Sequence, residues 1–190
     1  MMEQQNSDCM NGNLSPKQIK VYNLLRRLWV EHVMWTRFFL ISTASNLNDL
    51  DFVTKRLLEN PTDFAYALSL FYSNQQAMEF EKLFTEHLTI ASQLVNAAKA
   101  GDTKTADEQR KKWYENADEI ANFLGDINPN WNRNTWQSML YDHLKMTEDE
   151  AVQILTGQYA DSIEEFDAIQ EEALKMADMM ACGIIKQFNV

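Results

Sequence analysis

Turn formers are scarce in this chain. Five glycines and three prolines are eight of 190 residues, about 4%, where ordinary globular usage is about 12%. A many-turned β-sandwich, barrel or propeller cannot be built from so few. There is no GxSxG, GxGxxG or Walker-type loop, so nucleophile elbows and phosphate cradles are excluded as well. Cysteine is equally sparse. Cys9 and Cys182 support neither a disulfide framework nor a CxxC zinc site, and the usage suits a reducing compartment, read as cytoplasmic. Basic side chains are outnumbered 28 to 17, for a net charge of −11. The densest basic stretch, Arg110-Lys111-Lys112, is short and flanked by acids, which argues against nucleic acid and against anionic membrane surfaces as partners. Long apolar runs are also missing. Leu28 to Ile41 is the most apolar stretch, and its 14 residues include Glu31, His32 and Arg37, too short and too charged to span a bilayer.

What remains is a chain with 45% hydrophobic residues, enough for a real core in one domain. Residues 1–14 are rich in Gln, Asn and Ser and lack the basic and apolar regions of a signal peptide, so they read as a flexible leader before a single domain over 15–190. Ser15-Pro16 opens a helix that runs to about Ser45. Short helices are expected from Asp49 to Leu58 and from Asn60 to Tyr72. Ser73 with Gln76 forms a capping-box pattern before a long helix stopped by Gly101. The next helix starts at Thr103 or Thr105 and ends at Gly125. Two short helices follow, Thr135 to Lys145 and, from a second capping-box pattern at Thr147 and Glu150, on to Gly157. The last helix covers about 161–188. The expected architecture is all-α: an up-and-down bundle of four long helices (16–45, 74–100, 104–124 and 161–188), ferritin- or hemerythrin-like in shape, with short helices inserted in its connections.

Three histidines stand out. Each follows an acid, as Glu31-His32, Glu86-His87 and Asp142-His143, and each falls on an apolar helical stripe. Leu25, Leu28, His32, Trp35 and Phe39 make one stripe; Phe80, Leu83, His87, Ile90 and Leu94 a second; Trp136, Leu140 and His143 a third. A buried imidazole needs hydrogen-bond partners or a metal. Adjacent helical residues diverge by about 100°, so Glu31, Glu86 and Asp142 stand beside such a site or on the surface rather than in it. Thr36 shares the His32 face. Arg37 cannot deprotonate and, if buried, requires a carboxylate or a bound anion. Asp178, on the row Leu174, Asp178, Ala181, Ile185, and Asp118, near Asn116 at the edge of its helix's apolar face, are the candidate carboxylates. Together these residues suit Zn, Fe or Mn, with His32, His87 and His143 as imidazole ligands and Asp118 or Asp178 completing the set. The dimetal Glu-x-x-His pattern is absent, because Trp29, Phe84 and Leu140 precede the three histidines by three. Hemerythrin-type carriers use more histidines than three.

The segments LWVEHVMWTR, FTEHLTIASQLVNAAKAGD, KWYENADEIANFL, MLYDHLKMT and MADMMACGIIKQF resemble a family of short bacterial all-helical proteins, over about residues 20–190. Some members carry the name acetylglutamate kinase. Kinases of that name are α/β proteins with glycine-rich phosphate-binding loops, which this chain lacks, so the resemblance implies a helical fold and a motif set but no phosphoryl transfer. Related sequences carry a histidine in the last helix where this chain has Gln170 and Glu171; the resemblance thus asks more of Asp178.

Three functional classes follow. The first is a metal-binding bundle of hydrolytic or redox chemistry. The second is a non-enzymatic interaction protein whose His–acid pairs are core hydrogen bonds, with a homodimer as one form. The third is a binder of a small anionic ligand held by Arg37.

Overall fold

A computed structural model describes residues 13–190, so most of the expected leader, with Cys9, lies outside the described residues. The described residues form seven helices and no strand: α1 (Pro16–Ser45), α2 (Leu50–Leu57), α3 (Asn60–Ser69), α4 (Asn74–Ala100), α5 (Thr103–Ile127), α6 (Arg133–Leu155) and α7 (Tyr159–Phe188). None is long and apolar enough to cross a membrane.

Local chemistry sets most of the boundaries. Ser15 and Ser73 each accept from the backbone N–H three residues on, while Gln18 and Gln76 return the bond, two complete capping boxes that satisfy otherwise orphaned donors. Gly101 ends α4 at φ +73°, a left-handed conformation that costs glycine little. Asp102 then caps α5 through the Thr105 N–H, and Asn132 caps α6 through Thr135.

One expected boundary is absent. Residues 133–155 form a single helix rather than two short ones. No glycine or proline lies between Lys145 and Glu150 to force a break. Thr147 is buried in the helix and the Glu150 carboxylate goes to Arg37, so neither acts as a cap. The described residues therefore form five long helices, not four. Only α2 and α3 are short insertions.

Cross-helix bonds fix the directions. Gln18 bonds the Val190 carbonyl, Arg26 pairs with Asp178 and Arg37 bonds the Ser162 carbonyl, so α1 and α7 are antiparallel. Tyr141 meets Asp118 while Arg110 meets Glu148, making α5 and α6 antiparallel. A two-residue turn folds α5 back on α4, with Asn116 bonding the Leu83 carbonyl. α6 turns back into α7 over residues 156–158, and Trp131 just before α6 bonds Met179 late in α7, so these two are antiparallel as well and α1, α4 and α6 run the same way. α3 fills the seam between α1 and α4: its Phe64 packs on Trp29 and Phe84 at ring-centroid distances of 5.3 and 5.1 Å. At the far end Trp131 packs on α7 where Gly183 leaves room and donates from Nε1 to the Met179 carbonyl at 3.2 Å. Cys182 is buried there and is not a free thiol, so the expectation drawn from two cysteines in a reducing compartment gains nothing from it.

Candidate metal centre

The three histidines meet. His32 on α1, His87 on α4 and His143 on α6 are 2%, 1% and 3% exposed, and one nitrogen from each lies within 4.8 Å of the others. Ring centroids are 6.2 Å apart for His32–His87 and 5.6 Å for His32–His143. The meeting follows from the parallel course of α1, α4 and α6, which brings three apolar stripes to one level. Around the imidazoles the walls are aromatic. Phe84 stacks on both His32 and His87, Trp113 packs on His87, and Trp29 meets His32 edge-on.

Two asparagines fix two of the rings. His32 Nδ1 lies 3.2 Å from Asn60 Oδ1, and Asn60 Nδ2 donates to the Leu28 carbonyl at 3.1 Å. His87 Nδ1 lies 3.1 Å from Asn116 Oδ1, and Asn116 Nδ2 donates to the Leu83 carbonyl at 3.1 Å. Leu28 and Leu83 each stand four residues before the histidine served. Each amide spends its N–H on a carbonyl, so its oxygen can only accept. The histidine must then donate from Nδ1, which leaves Nε2 as a bare lone pair. A hydrogen bond behind the ring that sets tautomer and orientation is what metal-ligating imidazoles require.

His143 differs. Its Nδ1 is buried with no hydrogen-bond partner among the described residues. All three rings are held neutral. Burial pushes His87 down to about 3, with His143 adding repulsion, and pushes His143 down to about 4; burial, then the two neighbouring imidazoles, drives His32 well below the usual range. Neutral imidazole is the ligating form.

The acids expected to complete the set do not join it. Asp178 takes a two-pronged bond from Arg26, 2.5 Å from Nε and 2.7 Å from the terminal nitrogen. Asp118 accepts from Gln137 and Tyr141 on the α5–α6 seam. The acids preceding the histidines also turn away: Glu31 pairs with Arg56 at 3.2 Å, while Glu86 and Asp142 are exposed. Helical geometry accounts for this, since a neighbour of an inward-facing residue points about 100° aside. Thr36 returns its hydroxyl to the His32 carbonyl at 2.8 Å. Arg37 is bound by the Glu150 carboxylate and the Ser162 carbonyl beneath the Phe166 ring. Its guanidinium is spent inside the fold, which removes the cation from the anionic-ligand reading. Burial pushes the Glu150 carboxyl up to about 7 against the pull of Arg37.

Asn116 stands where sequence reasoning put it, next to a histidine. Asn60 was missed: placed at the head of α3 it reads as a helix start, yet it is fully buried and faces His32. A signal was present. Leu28-Trp29-Val30-Glu31-His32 and Leu83-Phe84-Thr85-Glu86-His87 share the form Leu-aromatic-x-Glu-His, with an asparagine 28 residues after one and 29 after the other. Compared with family models, with curated proteins and with solved structures, the chain matches none of them.

Proposed function

We propose that this protein is a metal-binding helical bundle in which His32, His87 and His143 hold one divalent ion, Zn, Fe or Mn. One observation carries it: three buried, neutral imidazoles converge, two of them aimed from behind by asparagines. Buried polar atoms ordinarily pair, and within the cluster His143 Nδ1 has no hydrogen-bond partner among the described residues, which leaves this ring unpinned from behind. The fit is close but not tight. A tetrahedral site with metal–nitrogen bonds of about 2.0–2.1 Å sets nitrogens about 3.4 Å apart, so a triangle with sides up to 4.8 Å closes by small side-chain rotations on binding. Three protein ligands leave a coordination position open, the arrangement of catalytic rather than structural sites. The metal would act there as a Lewis acid or redox centre.

The test is elemental analysis of untagged protein purified without chelator, beside His32→Ala. Near-stoichiometric metal, lost in the variant, is expected. Metal at a hundredfold excess over Kd adds about 2.7 kcal/mol, which for a chain of this size raises Tm by about 5–10 °C. Metal-free protein whose Tm ignores added Zn, Fe and Mn would overturn the proposal.

A further inference from the structure

The three imidazoles are almost wholly buried, so an ion reaches them only through a wall of the bundle. The two asparagines behind the rings mark two such walls. Asn60 is fully buried. Asn116 is buried too, but it lines a groove of about 570 Å³ between α4 and α5. On its other side Asn116 Oδ1 lies 3.1 Å from His87 Nδ1. A single side chain therefore bridges the groove and the ligand set. Two hydrogen bonds hold it there, one to His87 and one to the Leu83 carbonyl.

The groove is furnished with acceptors. Glu86 from α4 and Glu115 and Glu119 from α5 stand exposed along it. Lys111 lies 3.7 Å from Glu115, whereas Glu86 and Glu119 pair with no cation among the described residues. Gln109 lines the same groove and is only 9% exposed, and its Oε1 is buried without a hydrogen-bond partner among the described residues. Carboxylates and an amide oxygen only accept, so the guest that satisfies them brings donors and positive charge. A divalent cation in its water shell brings both: its waters donate outward, and oxygen ligands suit such ions. Six waters at about 30 Å³ each fill about 180 Å³, well inside the groove. The net charge of −11 draws cations toward the surface in general. Of the two lysines on the groove, Lys82 reaches to Glu79 at 3.5 Å, and Lys112 is the opposing charge.

We infer that the groove between α4 and α5 is the entry route of the metal: a hydrated divalent cation collects at Glu86 and Glu119, and Asn116 is the gate through which it reaches His87. The inference rests on the metal-site proposal. His87 turns Nδ1 to Asn116 and keeps Nε2 for the ion, so the amide releases the ring for the ion to pass. Entry and exit share this path. An obstacle on it slows binding and release by the same factor and leaves Kd untouched, which damage to the ligands does not.

Zn(II) is the probe (Fe(II) or Mn(II) if the protein takes up only that ion), mixed with the metal-free full chain. Trp29 and Trp113, packed on the histidine rings, report binding by stopped-flow fluorescence. Chelator capture gives koff and competition titration gives Kd. Thr85→Phe, which fills the groove beside Glu86, should lower kon and koff about tenfold each with Kd unchanged. Glu86→Gln combined with Glu119→Gln should slow kon about threefold or more at low salt, less as salt rises, and Lys112→Gln should speed it. These charge variants decide the matter if Thr85→Phe does not fold. If kon ignores both the filled groove and its charges, the route is refuted and the metal site stands. If Thr85→Phe changes koff and Kd but not kon, the substitution acts on the ligands and the route is refuted as well. If the wild type takes up none of the three ions, the metal proposal fails and takes this inference with it.

Discussion

Acidifying the metal-free protein tests whether the histidine cluster is as dry as its packing indicates. Free histidine takes up a proton near pH 6.5, whereas burial holds His87 at about 3 and His143 at about 4. Because the folded values are depressed, the unfolded chain binds more protons below pH 6.5. Stability is then fully present above pH 6.5 and is lost as pH falls toward the folded values. The loss is about 1.4 kcal/mol per pH unit for each group, so about 2 kcal/mol each and about 4 kcal/mol for the pair at about pH 5. His32 acts in the same direction. Glu150 acts in the opposite one. Its carboxyl, pushed up to about 7 from 4.5, takes a proton in the fold before the unfolded chain does, which offsets about 3 kcal/mol by about pH 5. The wild type should therefore lose little stability over this range, and Glu150→Gln should show the larger loss. Denaturant unfolding with chelator at about pH 7.5 and about pH 5 measures both chains, and the imidazole Cε1 proton resonances report each ring directly. Histidine resonances that titrate near pH 6.5 in the folded protein would refute the buried, neutral cluster.

Three further outcomes are expected. Asn116→Ala frees the His87 tautomer and strands its Nδ1, costing about 1–3 kcal/mol by denaturant unfolding and weakening metal binding about 10- to 100-fold by competition titration. Glu150→Leu strands a guanidinium that cannot deprotonate and costs about 3–5 kcal/mol, most of it recovered by adding Arg37→Met, as a double-mutant cycle on Tm would show. Gly183→Ala, which helix propensity alone would favour, is destabilising by about 1–3 kcal/mol, because the new Cβ would stand 1.9 Å from Trp131 Nε1; an unchanged or raised Tm refutes that packing.

Much was written locally. The all-helical class, both serine capping boxes and the bounds of α1 and α4 follow from short-range chemistry, because a cap, a glycine and an apolar stripe act within a few residues. The inward aim of all three histidines follows from the same periodicity. Local signals failed where a side chain had a stronger distant use. Thr147 and Glu150 carry the pattern of a capping box, but Glu150 is claimed by Arg37 from another helix and α6 runs on unbroken. Asp178 sits among apolar neighbours and looks like a ligand, but Arg26 takes it.

The sequence by itself determined which residues face inward, since that depends only on a period of 3.6 residues and on where each helix begins. Only the tertiary structure decided which inward faces meet and at what height. Stacking α1, α4 and α6 in the same direction put His32, His87 and His143 on one level and Thr36, Ala91 and Thr147 on the next. Asn60 and Asn116 reach the histidines across gaps of 28 and 29 residues for the same reason: the pairing belongs to the packing of helices, which no local pattern encodes.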